Sequence, residues 1–271
     1  MKKFQKFSLL AAVIFLLCGA VMFGIGIACG GLEYSFTSWK GEITSYLASN
    51  TKQLSESYQG VEEIDFDLKY CDVTIQQGNE YSIYSENVSS DFQSYVKNGV
   101  WYIKSGNLSR KMKWFVQADW IDNKRSRITI IIPNLKLREV KLNLGAGTLQ
   151  ADGLLADELQ AEVGAGEANF SRITAREINM ECGMGKIFYG GTIQEEASFQ
   201  CGMGEINVNL TGKKEEYRYE LKCGMGAIRL DGEQYTRTDK KINSQAQHAP
   251  EVEIECGMGN VEVSFENNSS L

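Results

Sequence analysis

Four cysteines recur inside one tetrapeptide, Cys-Gly-Met-Gly, at Cys182, Cys201, Cys223 and Cys256. Four thiolates are a zinc ligand set, but structural zinc sites use Cys-x-x-Cys pairs that wrap the ion, and no such pair occurs in this chain. Two equivalent upstream positions hold Leu144 and Val163, so the column is read as a ladder of buried thiols; strained disulfides between neighbours and a metal are the alternatives. Glu162 and Glu181 are the best candidates for paired-carboxylate chemistry on a polysaccharide. They would become persuasive if three or more acids or bases converged in a groove beside an aromatic platform. Glu167, Lys186 and Glu205 alternate in sign and read as a solvated charge row. The single histidine, His248, makes a histidine triad, relay or zinc pair improbable. A net charge of -7 argues against nucleic-acid binding. No catalytic residue, cofactor or metal is therefore expected.

These residues are placed by a repeat. Between residues 145 and 259 Gly-x-Gly occurs six times: Gly145 and Gly147, Gly164 and Gly166, Gly183 and Gly185, Gly202 and Gly204, Gly224 and Gly226, Gly257 and Gly259. The first four copies are 19 residues apart and the later steps are 22 and 33. A dinucleotide fingerprint would need a third glycine and a helix beneath the phosphate, whereas each copy here lies between strand patterns. Apolar residues alternate before the triplet (Met180, Cys182) and after it (Ile187, Tyr189), with polar residues between. Cys182 and Ile187 are five apart, an odd step, so a straight strand would send them to opposite faces. The chain must turn or bulge at the triplet, where glycine fits because it tolerates positive φ and carries no Cβ. A strand-corner-strand unit of this length cannot bury its own apolar face, which predicts an all-β solenoid of stacked two-strand coils. The corner methionines, Met184, Met203, Met225 and Met258, either fill the bend or form an outward apolar ridge.

Upstream, Ile64 to Ile75 fits the same columns with Lys69-Tyr70-Cys71 at the corner, and Arg127 to Pro133 restarts a strand. Insertions are expected at 104–126, basic and aromatic with Trp114 and Trp120, and at 232–250. Lys2, Lys3 and Lys6 precede an uncharged run, residues 8–32. As a helix those 25 residues would extend about 38 Å, enough to cross a bilayer, with the stub 1–7 in the cytoplasm by the positive-inside rule. A cleaved signal, or lipidation at Cys18 or Cys29, would equally export the rest of the chain. Residues 33–60 read as a stalk, 61–265 as the solenoid and 266–271 as a tail. The coil ending at Phe265 reads as the open end of the stack, where unpaired strand groups could pair with another chain.

The IDFDLKYCDVTI opening, the RITIIIP strand and the Gly145 to Gly259 corners together resemble the bacterial putative-adhesin family of β-strand-repeat proteins, a domain family of unknown function. The resemblance covers about Val61 to Phe265 and implies a right-handed β-helix-like domain with a cell-surface role. It supplies no catalytic residue. The expected protein is a single-pass, membrane-anchored, extracytoplasmic module that binds or scaffolds without catalysis. An envelope protein or cell-wall glycan is its expected partner, with Met184, Met203, Met225, Met258, Trp114 and Trp120 as the candidate surface. A polysaccharide-active solenoid enzyme is the alternative.

Overall fold

The computed structural model describes residues 51–105, 125–236, 239–244 and 248–266. The stub, the apolar run 8–32, stalk residues 33–50, Trp114, Trp120 and the tail beyond Glu266 lie outside them. Among the described residues no helix is long and apolar enough to cross a membrane.

In chain order the strands are β1 (Thr51–Tyr58), β2 (Glu63–Gly78), β3 (Tyr81–Ser89), β4 (Gln93–Lys97), β5 (Val100–Lys104), β6 (Arg127–Pro133) and β7 (Leu137–Asp152). β8 (Leu155–Thr211), β9 (Arg218–Cys223), β10 (Ala227–Leu230), β11 (Glu233–Thr236), β12 (Asp239–Ile242) and β13 (Glu251–Glu266) complete the sheet. β8 runs through three successive coils as one continuous strand. Its alternation breaks where the sequence predicts: Met180 and Cys182 are buried before the corner, Ile187 and Tyr189 after it.

Parallel pairing stacks these coils in register. Leu142 of β7 lies opposite Phe66 of β2 and Gly147 opposite Cys71, which places Lys69-Tyr70-Cys71 at a corner. Ala161 and Gly166 of β8 lie opposite Leu142 and Gly147 in turn. The apolar columns thus become ladders of buried side chains, such as Leu142, Ala161, Met180, Phe199, Ile254 and Leu221. Each large member contributes about 1.5 to 3 kcal/mol on leaving water.

The order of coils in space departs from their order in sequence at one end. β13 does not close the stack. It pairs with β8 across Glu251 to Glu266 on one edge, and with β9 and β10 on the other. The terminal coil is β9 and β10, laid down earlier in the chain, and β13 fills the space between it and β8. The coil ending at Phe265 is therefore internal rather than the open end of the stack. The terminal coil is covered by antiparallel β11 on β10 and β12 on β9, both built from the expected insertion 232–250. β12 presents Asp239, Lys240 and Lys241, and such charges oppose further strand pairing.

The opposite end follows the same plan. β5 and β6 pair with the two halves of β2, forming a terminal coil. Antiparallel β4 and β3 cover it, and β1 lies beyond β3. The expected stalk thus ends earlier than residue 60, because Thr51 to Tyr58 joins the sheet. Aromatic residues close both ends. Trp101 is fully buried against Tyr58 and Tyr81, its Nε1 donating to Ser94 Oγ at 3.0 Å. Tyr217, Tyr219 and Phe265 cluster at the other end, with ring centroids 6.2 to 6.4 Å apart.

Candidate functional site

At each corner the chain passes so close to the next coil that no side chain fits on either glycine. A Cβ on Gly183 would lie 2.7 Å from the carbonyl oxygen of Gly164, and one on Gly185, whose φ is +139°, would lie 1.9 Å from that of Gly166. Gly204 repeats this one coil further on, with φ at +144° and 2.0 Å to the Gly185 carbonyl oxygen. All twelve corner glycines meet neighbouring backbone at 1.8 to 2.9 Å in this test. The first glycine of every triplet lacks positive φ, and of the six second glycines only Gly226 lacks it too. That residue lies outside the left-handed region, because the terminal corner is an open bend between β9 and β10 rather than a bulge within a continuous strand. Close approach alone requires glycine there, since a Cβ on Gly226 would stand 1.8 Å from the Gly259 carbonyl oxygen.

Only the middle residue of each corner keeps a side chain, and it points outward. Met184, Met203, Met258 and Met225 follow one another on four adjacent coils and are 53%, 44%, 44% and 74% exposed. Met258 is in register with Met203, and the Met225 N–H donates to the Gly257 carbonyl at 2.8 Å. At coil spacing the four form a ridge about 14 Å long. They account for four of the seven large hydrophobic residues exposed among the described residues.

The cysteine two residues before each methionine points the other way. Cys182, Cys201, Cys256 and Cys223 are buried free thiols, with Cys256 opposite both Cys201 and Cys223. Cys201 is pushed well above the usual thiol range by its hydrogen bond with Cys182 and by burial, and burial pushes Cys256 up to about 11. Both are therefore protonated, weak nucleophiles near neutral pH. Among the described residues no cluster of three or more histidine, cysteine, aspartate or glutamate side chains could hold a metal.

Beside the ridge runs a groove of about 380 Å³ flanked by Glu162, Glu181, Gln200 and Glu255, with Cys182 and Cys201 along its floor. Three carboxylates share it, but no aromatic residue lines it. The outer charge rows are paired from coil to coil. Lys186 meets Glu205 at 3.1 Å, and Lys222 bridges Glu220 at 3.0 Å and Glu253 at 2.5 Å. His248 is exposed, apart from both grooves.

A second groove, of about 510 Å³, went unread in the sequence. It lies on the outer face past the corner, where Phe188, Gly190, Asn207 and Asn209 meet Glu262, Ser264 and Glu266. Its signal was the pair Gly190-Gly191, a glycine doublet outside every corner. Arg172 also lines it, so ionisable groups and an aromatic ring do share a groove. Two of the three groups are engaged. Arg172 pairs with Asp152, and Glu266 accepts from the Asn209 amide. Glu262 and Glu266 are its two carboxylates, with Glu266 held by the Asn209 amide.

Residues 61–270 match the family model described as Toastrack DUF4097, in agreement with the resemblance carried by the corners. Among solved structures, a putative cell adhesion protein from Clostridium sporogenes ATCC 15579 is 19% identical, covering 80% of this chain and 100% of its own, with a TM-score of 0.45. A putative adhesin from Bacteroides fragilis NCTC 9343 is 12% identical, covering 78% and 97%, with a TM-score of 0.34. No curated protein matches the chain significantly.

Proposed function

The chain belongs to the Toastrack DUF4097 family, and on that footing we propose that it is a membrane-anchored, extracytoplasmic binding module that docks an envelope protein without catalysing a reaction. Residues 8–32 form its single transmembrane helix, the N-terminus is cytoplasmic, and the coils continue as a right-handed solenoid outside. The observation that carries this reading is the methionine ridge. Four in-register thioether side chains held outside the core have no packing role there. Flexible, polarisable methionine suits a surface that must adapt to a partner's apolar face. The absence of aromatic residues along the three-carboxylate groove favours docking over polysaccharide cleavage.

The test is capture from the native envelope by the full chain, against a variant with Met184, Met203, Met225 and Met258 all changed to Gln. The ridge is exposed, so the variant retains the wild-type melting temperature and loses the captured protein. Equal capture by both chains would remove the ridge from the function. Protease shaving of intact cells tests the orientation: the solenoid is cut or protected as one body, and only an extracytoplasmic domain is reached.

A further inference from the structure

The second groove carries an inference independent of the ridge. Its centre is Gly190. Among the described glycines, Gly190 alone combines a φ outside the left-handed region with ample room, since its Cβ would meet nothing nearer than the Phe170 carbonyl oxygen at 3.7 Å. Its neighbour differs: a Cβ on Gly191 would sit 2.0 Å from the Ile173 carbonyl oxygen. Backbone geometry therefore requires glycine at 191 and does not require it at 190. What glycine at 190 does is leave a notch in a face where the coils on either side carry Ser171 and Asn209.

The notch opens beside Phe188. Ile187 and Tyr189 are buried, so Phe188 points outward, and its half-buried ring lines the groove. It lies 19 residues from Asn169 on one coil and 19 from Asn207 on the next, so an aromatic face is flanked by two amides. The polar groups around it are already ordered. The Ser171 hydroxyl donates to Asn169 Oδ1 at 3.2 Å, Asn207 Nδ2 donates to Glu205 at 2.9 Å, and Ser264 donates to Asn209 Oδ1 at 3.4 Å.

A half-buried, outward-facing aromatic ring with a notch beside it and fixed amide, hydroxyl and carboxylate groups around it matches one ligand chemistry. The electron-rich ring face receives the weakly positive C–H face of a pyranose, while amides and carboxylates exchange hydrogen bonds with equatorial hydroxyls. Prior ordering of those groups lowers the cost of binding. With Arg172 neutralised by Asp152, the net charge left in the groove is that of Glu262 and Glu266, which disfavours anionic polymers. We propose that the groove centred on Phe188 and Gly190 is a binding site for an uncharged oligosaccharide chain.

Calorimetric titration of the full chain in detergent tests this, with chitotetraose, cellotetraose and mannotetraose as neutral probes and polyglycerol phosphate as the anionic one. At least one neutral probe binds, and polyglycerol phosphate does not. Gly190→Leu, which has room for its Cβ, plugs the notch and weakens binding by about tenfold or more without lowering the melting temperature. Phe188→Ala weakens it similarly, and Leu135→Gln, an exposed residue that lines neither groove, leaves it unchanged. Failure of all three neutral probes at millimolar concentration, equal affinity for Gly190→Leu, preference for polyglycerol phosphate, or release of shortened sugars would each overturn the proposal.

Discussion

At the corner, a Cβ on Gly185 would stand 1.9 Å from the backbone of the adjacent coil; at Gly190, on the same coil, it would stand 3.7 Å from its nearest neighbour. The two residues are chemically identical and five positions apart, yet only the first is required by the close approach of coil to coil. The second is free to be larger, and its smallness shapes the outer surface. Glycine content in this chain therefore has two causes, and they separate by substitution. Gly185→Ala forces alanine into left-handed φ against a carbonyl, and a cost of at least about 4 kcal/mol is expected in denaturant unfolding, or failure to fold. Gly190→Ala loses backbone freedom only in the unfolded chain and is expected to stabilise by about 0.4 to 1 kcal/mol. Comparable destabilisation by the two changes would erase the distinction.

The same inside-outside division runs through Cys-Gly-Met-Gly, and it sharpens the comparison with smaller effects. Cys201 faces the core in a column that Val163 also occupies, so Cys201→Val should cost less than about 1.5 kcal/mol. Cys201→Ser puts a hydroxyl with no assured partner into that column and should cost about 1 to 3 kcal/mol. If serine were tolerated as well as valine, the thiols would be performing polar rather than packing work.

The coils, the corners and the inward columns were legible in the sequence because each is fixed by local geometry. Period-two alternation names the buried face, and the odd step from Cys182 to Ile187 names the bend. The placement of β13 was not legible, since its corner matches the others equally well and nothing in the repeat tells which neighbours it has. Pairing between strands distant in the chain decided that, and with it the closure of the end by β11 and β12. It also made the corner at Gly226 terminal, which is why the φ shared by Gly185 and Gly204 does not extend to it. The Phe188 groove escaped for a related reason. Asn169, Phe188, Asn207 and Glu262 sit at ordinary outward positions, and only stacking brings them together around the gap at Gly190.

The ridge methionines lie at the outward extreme of the comparison. Met225→Gln, at the most exposed position, should change stability by less than about 0.5 kcal/mol, whereas truncating Met180, fully buried on the Met184 coil, to Ala should cost about 2 to 5 kcal/mol. Parallel thermal and denaturant melts of the two variants measure the contrast, and a large loss from Met225→Gln would mean that the ridge packs against something in the folded chain.

The outer charge rows provide the smallest test, because their groups are solvated. Glu205 is held below its usual carboxylate range by the Asn207 amide and by Lys186, and Glu220 by Lys241 and Lys222. A depressed folded pKa means that the unfolded chain takes up protons first. The contribution is therefore fully present above the unfolded value of 4.5 and fades as pH falls through the lower folded values. Denaturation midpoints should accordingly hold steady down to about pH 5.5 and decline below about pH 4.5, with raised salt weakening the Lys186–Glu205 share. Glu205→Gln should flatten part of that decline while leaving the corners intact. An unchanged acid limb in this variant would show that the row is solvated charge alone, and that coil-to-coil order on the outer face is set wholly by what lies inside.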